Sequence, residues 1–274
     1  MTDSSPTPWT AGADDEQAEQ RAVEERNRSL ARAGVARAED LLVHRYRLAS
    51  RGEAFDLLRR TSQRFNIKVH LLAESAVRLP APQAGADRWV PRRPQAAAPP
   101  PAALHAPTEQ PAGHSAVLRA ALDRPLRITG AEMGNVQTVE NGMLRMEKHT
   151  GLNRRFTDYF TFVEDSTTSC AQAAAENRQV TVKDVAASDA FDEGSRRAIL
   201  QTGSRACHSV PLPGPAGTVV GMISSHHDQP LHGLSPVQLA ALDELGGQVG
   251  RWLVWHRNTV VLAALNHPHT TATV

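Results

Sequence analysis

The densest chemistry in this chain is cationic. Arg37, Arg45, Arg59, Arg60, Arg64 and Lys68 crowd into one short stretch. Guanidinium and ammonium groups at that density suit phosphate pairing and stacking on unpaired bases. Residues 26–78 hold twelve bases against five acids, whereas residues 1–25 hold seven acids and one base, Arg21. An acidic arm ahead of a basic segment reads as an interaction tail or as a solvated helix. Other reactive groups are sparse. Cys170 and Cys207 are the sole cysteines, which excludes a disulfide scaffold and a cysteine-rich zinc module. As a pair they offer only thiol chemistry, which needs a stabilised thiolate and a partner within disulfide reach. His226-His227-Asp228 with His232 presents ligand types that suit zinc or iron. Neighbouring strand residues point to opposite faces, however, so a solvated hairpin end is expected there and no metal site. Phosphate loops, nucleophile elbows and zinc-protease helices are absent from the sequence. Glu140, Asp165, Asp184, Asp189 and Asp228 fall mostly at turn signals. The sequence therefore gives no enzyme active site and names no cofactor.

The elements that must position these groups follow from pattern. With 274 residues, a net charge of +1 and 41% hydrophobic content, the chain accommodates one or two domains plus connecting segments. Its apolar runs fall short of the ~18–20 residues of a membrane helix, and Met1–Gly12 lacks a signal-peptide layout. A cytoplasmic protein is expected. Val35, Ala38, Leu42, Tyr46 and Ala49 recur at helical spacing. Ser50-Arg51-Gly52-Glu53 reads as a capping box. It opens a second helix with Ala54, Leu57, Leu58, Thr61, Ser62 and Phe65 facing inward. Asn66 is expected to cap a third helix bearing Val69, Leu72, Ala73, Ala76 and Val77, which Pro80 stops. Nine of the 18 prolines lie in residues 80–113, the signature of a linker.

Val35-Ala36-Arg37-Ala38, Leu41-Leu42 and Tyr46, followed by Ala54 to Arg59, Ser62-Gln63 and Asn66-Ile67-Lys68, resemble an ANTAR domain. That resemblance implies a three-helix RNA-binding module of bacterial antiterminators that recognises paired stem-loops, with Arg37, Arg45, Arg59, Arg60, Arg64 and Lys68 as its RNA-binding residues. The chain departs from the family at Glu39-Asp40, where a Lys-Gly pair is usual. A carboxylate there repels phosphate and is expected to weaken or redirect RNA binding.

Beyond the linker, Met133–Val139 and Met143–His149 flank Asn141-Gly142 and predict a hairpin. Leu152 to Phe160, Cys170 to Glu176 and Ser195 to Thr202 read as helices. Gln179–Val182, Ala206–Leu212 and Thr218–His226 read as strands. Ser235-Pro236-Val237-Gln238 opens a final helix that runs on from Leu242 to Leu265, suited to a homodimer contact. Gly134-Asn135-Val136-Gln137, Lys183-Asp184-Val185, Asp189-Ala190-Phe191, Ser209-Val210-Pro211-Leu212 and Gly221-Met222-Ile223-Ser224 resemble a GAF domain, a small-molecule sensing fold. The resemblance places a ligand between the sheet and a lid at residues 150–203, with Asn135, Gln137, His149, Cys170, Cys207 and Ser209 as candidate contacts.

The expected architecture is α+β. An acidic mobile arm or helix spans 1–27, an ANTAR-like bundle 28–79, a Pro/Ala-rich linker 80–114, a GAF-like antiparallel sheet flanked by helices 115–256, and a tail 257–274. The expected function is a regulator that joins antitermination by stem-loop binding to small-molecule sensing. In the families it resembles the sensor usually comes first; here that order is inverted. Two alternatives stand beside it. One is a sensor or scaffold whose helical module binds a protein partner. The other is a thiol reductase of free methionine sulfoxide, with Cys170 and Cys207 as nucleophile and resolving thiol.

Overall fold

A computed structural model describes residues 8–83, 85–91, 97–99, 113–164 and 168–272. Its centre is an antiparallel sheet. β1 (Met133–Glu140) and β2 (Met143–Thr150) form the expected hairpin. Asn141 and Gly142 take φ of 51° and 85°, the left-handed values that a tight two-residue turn between twisted strands requires. With β3 (Phe162–Val163), β4 (Val180–Val182), β5 (Ala206–Pro213) and β6 (Val219–His227), the six strands run in the order β3-β2-β1-β6-β5-β4. One face is covered by α5 (Arg154–Tyr159), α6 (Ser169–Glu176) and α7 (Glu193–Gln201), around Phe156, Phe160, Phe191 and Met222. The other is covered by α4 (His114–Thr129) and α8 (Pro236–Trp255), around Leu118, Val136, Ile223, Leu245 and Trp252. The capping box at Ser235 is formed. A Cβ at Gly250 would stand 2.2 Å from the Pro213 carbonyl oxygen, so α8 lies directly on β5.

The N-terminal helices are α1 (Pro8–Tyr46), α2 (Arg51–Phe65) and α3 (Val69–Arg78). Leu42, Leu58, Leu72 and Ala76 are fully buried between them. Ser50 accepts from the Glu53 amide and the Glu53 carboxylate accepts from the Ala49 amide, so the box closes one residue further out than expected. Asn66 does not begin α3. It ends α2 with φ 51°, a conformation asparagine tolerates better than most residues. Lys68 takes the N-cap position of α3 instead, without a side-chain cap.

The structure refines the expected organisation of the chain in several places. Of the two readings for the acidic segment, arm or helix, residues 8–27 take the helix: they are the first half of α1. Its acids meet the bases of the covering helices: Glu16 and Glu19 pair with Arg155, Glu19 with Arg197, and Glu24 with Arg154. Gln20 and Asn27 donate to Asp158, and Arg26 donates to the Phe162 carbonyl. The segment expected to be linker begins with structure: Trp89 is buried in the bundle core and donates to the Pro80 carbonyl. Residues 100–112 lie outside the described residues. The tail continues α8 as a π-helical stretch, His256–Val261, then α9 (Leu262–Ala264) and α10 (Asn266–Ala272). Val261, Ala264 and Leu265 enter the bundle core, so this extension packs within the chain. Finally, α4 went unread because Pro125 lies inside it. Its first turns carry Val117, Leu118, Ala121 and Leu122 on one buried stripe.

Candidate functional sites

Three places in the fold gather chemistry. The first is the outer surface of the bundle. Arg37, Arg59, Arg60 and Arg64 are exposed, and among the described residues no carboxylate pairs with Arg37, Arg60 or Arg64. Arg60 and Arg64 lie one turn apart on α2 and both depress the nearby His267, after its partial burial. Arg64 also stands 5.8 Å from the Phe65 ring centroid. Arg59 is shared with Asp56 at 3.0 Å. Two candidates sit apart from this surface. The Arg45 guanidinium lies 4.2 Å over the Trp89 ring, with one nitrogen buried. Lys68 is ion-paired to Glu147 of β2. The Glu39-Asp40 pair, expected to repel phosphate, is partly neutralised: both Asp40 oxygens accept from Arg51, at 2.5 and 2.6 Å. Burial pushes the Glu39 carboxyl above its ordinary range.

The second place is a charged seam where α3 meets the β1–β2 hairpin. His70 is 8% exposed and stands 3.1 Å from Glu140 and 3.2 Å from Glu147. Lys68 also pairs with Glu147, and Arg145 reaches Glu140 at 2.8 Å. Further along α3, the Glu74 carboxylate takes Arg78 at 2.7 Å, Arg257 at 3.5 Å and the Asn141 amide at 3.1 Å. α1 closes over the same hairpin. A Cβ at Gly34 would stand 3.2 Å from the Asn141 side chain, which accounts for glycine inside a helix where it costs about 1 kcal/mol against alanine.

The seam has a defined pH response. Burial alone would depress His70, but its contacts with Glu140 and Glu147 outweigh burial and hold the imidazole above its ordinary 6.5. Burial likewise opposes ionisation of Glu147, yet His70 and Lys68 hold that carboxyl down to about 2. The His70 contribution is complete below 6.5 and is lost as pH rises through its raised value. The Glu147 contribution is complete above its ordinary 4.5 and is lost as pH falls toward 2. Protection of the α3 amides from hydrogen exchange, taken relative to their intrinsic rates at each pH, should therefore be greatest between these limits and fall on the alkaline side. His70→Gln should remove the alkaline limb; an unchanged limb in that variant would show that other groups set it.

The third place is the sheet face beneath α5–α7, where five of the six ligand candidates converge. Gln137 is fully buried, donates to the Phe160 carbonyl at 3.2 Å, and leaves its own oxygen without a partner. Asn135 Oδ1 accepts from His226 Nε2 at 3.2 Å, and His226 Nδ1 meets the Ser204 hydroxyl at 3.1 Å. Ser209 lies 3.0 Å from Ser224 and 3.2 Å from Ser169, which contacts Cys207 at 3.4 Å. Cys170 lies 3.5 Å from Ser224. His149 is exposed at the end of β2 and does not join them.

Both cysteines are free thiols. Complete burial pushes the Cys207 thiol up to about 12, the wrong direction for a nucleophile. The expected solvated hairpin end at 226–228 is also corrected: His226 and His227 are buried on opposite faces of the central strand β6. Burial holds His226 at about 3, hence neutral. Among the described residues no three metal-ligating side chains gather.

Sequence reasoning missed the seam. His70 and Glu74 stand four apart on α3, and Arg145 and Glu147 alternate with Leu144 and Met146 on β2. Both are signals of a polar face, but a polar face ordinarily meets water.

Comparison with known families agrees with this architecture. A GAF domain model matches residues 112–253, and an ANTAR domain model matches residues 20–77. No curated protein sequence matches the chain. Among solved structures, a GAF domain/HD domain protein from Geobacter sulfurreducens is 12% identical with a TM-score of 0.45, over 52% of this chain and 93% of that one. The cyanobacteriochrome TePixJ GAF domain is 12% identical with a TM-score of 0.45, over 55% and 96%. The free methionine-R-sulfoxide reductase from Neisseria meningitidis is 17% identical with a TM-score of 0.39, over 56% and 99%. No described helix is long and apolar enough to cross a membrane. With more than half of its length matched by the GAF model, the chain belongs to the GAF family, and it carries an ANTAR domain ahead of its GAF domain.

Proposed function

We propose that this protein is a cytoplasmic, non-enzymatic antiterminator in which the GAF domain restrains an RNA-binding bundle until a signal releases it. The observation that carries this reading is the seam. Lys68, a candidate phosphate contact, is held by Glu147, and His70 beside it is held by Glu140 and Glu147. In the docked state the bundle offers Arg37, Arg60 and Arg64; on release it adds Lys68. Stem-loop RNA supplies the phosphates and unpaired bases that such groups recognise.

A small-molecule signal has a route to the seam. A ligand entering beneath α5–α7 would meet the unpartnered Gln137 oxygen and the Ser209, Ser224 and Cys170 group. α5 and α7 grip the first half of α1, and the second half of α1 is part of the bundle. Displacing the cover would then move the bundle through one helix, rather than through a soft tether. Such a ligand acts only by binding the two arrangements with different affinity.

The thiol-reductase alternative is disfavoured by the buried, high-pKa Cys207. Filter binding of the full chain to stem-loop RNA across a salt series tests the main reading. Saturable binding is expected, with the logarithm of affinity falling linearly against log salt, by roughly 0.7–0.9 for each phosphate neutralised. Absence of saturable binding at low salt would favour a protein partner for the bundle.

A further inference from the structure

A cavity lies on the opposite side of the sheet from α5–α7, at the junction of the bundle and the GAF domain. Its volume is about 240 Å³, and both domains line it: Leu71, Ser75 and Arg78 from α3, His114 from α4, and His256 and Arg257 from the helix that follows α8. None of these residues carries the RNA-binding or ligand-sensing roles above.

Two features of its walls specify a guest. The first is a column of flat rings. His114 and His256, both in the wall, are 5.0 Å apart by centroid, and His256 is backed by the buried Trp252, stacked on it at 4.9 Å and 15°. Burial holds His114 at about 4 and His256 at about 3. At neutral pH both are uncharged rings, able to stack and to hydrogen-bond without a desolvated charge. The second is an imbalance of charge. Arg78 and Arg257 share the buried carboxylate of Glu74, and Arg257 also donates to the Val139 carbonyl, so among the described residues two guanidinium groups face one carboxylate at the wall. Leu71, Leu253 and Val261 complete an apolar remainder.

We infer that this cavity binds a planar aromatic carboxylate: the ring packs against His114 and His256 and the carboxylate meets Arg78 and Arg257. A guest touching both α3 and the C-terminal helix binds only where the two are together, so it favours the docked arrangement by its differential affinity. The inference does not depend on the RNA reading, because neither the ligand nor its measurement involves RNA.

Isothermal titration of the full chain with indole-3-carboxylate, and with indole-3-carboxamide as its neutral counterpart, tests it. The carboxylate should bind saturably, and the amide about tenfold more weakly, as expected for loss of a charge-assisted contact. Arg78→Gln should weaken the carboxylate about tenfold and leave the amide unchanged. Val254→Phe, which fills the cavity from a half-buried lining position, should abolish binding of both. No saturable heat from the carboxylate, or equal carboxylate affinity in wild type and Val254→Phe, would overturn the assignment.

Discussion

Replacing Glu147 with glutamine is expected to raise affinity for stem-loop RNA about tenfold at neutral pH, equivalent to about 1.4 kcal/mol of lost docking energy. The Glu147 side chain is fully buried and faces both Lys68 and His70. Breaking a buried ion pair by removing one partner typically costs about 3–5 kcal/mol. That figure must be discounted here, because the Lys68 side chain is 44% exposed and water takes up part of its charge. If docking removes Lys68 from the binding surface, apparent affinity scales with the undocked fraction, and weakening the seam raises that fraction. Filter binding of wild type and variant reads the change, with circular dichroism confirming that both remain folded. Unchanged or weakened binding by the folded variant would show that the seam does not restrain the bundle.

The second large effect runs in the opposite direction. Replacing Arg60 and Arg64 together with alanine should lower RNA affinity by about two orders of magnitude at low salt, since hydrogen bonds to charged groups contribute about 1.5–3 kcal/mol each. It should also reduce the salt slope by roughly 1.4–1.8. Both side chains are exposed and have no carboxylate partner among the described residues, so stability should move by no more than about 0.5 kcal/mol. Equal affinity and an unaltered slope would remove α2 from the interface and return the bundle to the protein-partner alternative.

The parts of this molecule that were legible in its sequence are those with a local physical cause. Asn141-Gly142 dictates a hairpin because its two residues tolerate positive φ, and the structure contains that hairpin. Ser235 to Gln238 dictates a helix start, and the capping box is formed. Asn66 illustrates an ambiguity that sequence does not resolve: asparagine suits both the beginning of a helix and the left-handed residue at its end, and here the second use prevails. The failures share a cause of another kind. Trp89, Val261 and Leu265 belong to the bundle core although they lie far outside its helices in sequence. Their burial depends on tertiary contacts that no local period reports. The charged residues of α3 and β2 were unreadable for a related reason: each polar face finds its complement on the other element, so both are buried. The acidic first half of α1 and the basic α5 and α7 form a second complementary pair of this kind.

The C-terminal helices that complete the bundle have a consequence for biosynthesis. Tyr46 contacts His269 across 223 residues of chain, and Leu265 seals a core whose helices end at Arg78. During translation the three helices leave the ribosome long before the residues that close over them are made. A nascent polypeptide halted anywhere in the GAF domain would therefore carry an unsealed bundle, and the module would reach its mature form only in a chain translated through to that closing segment.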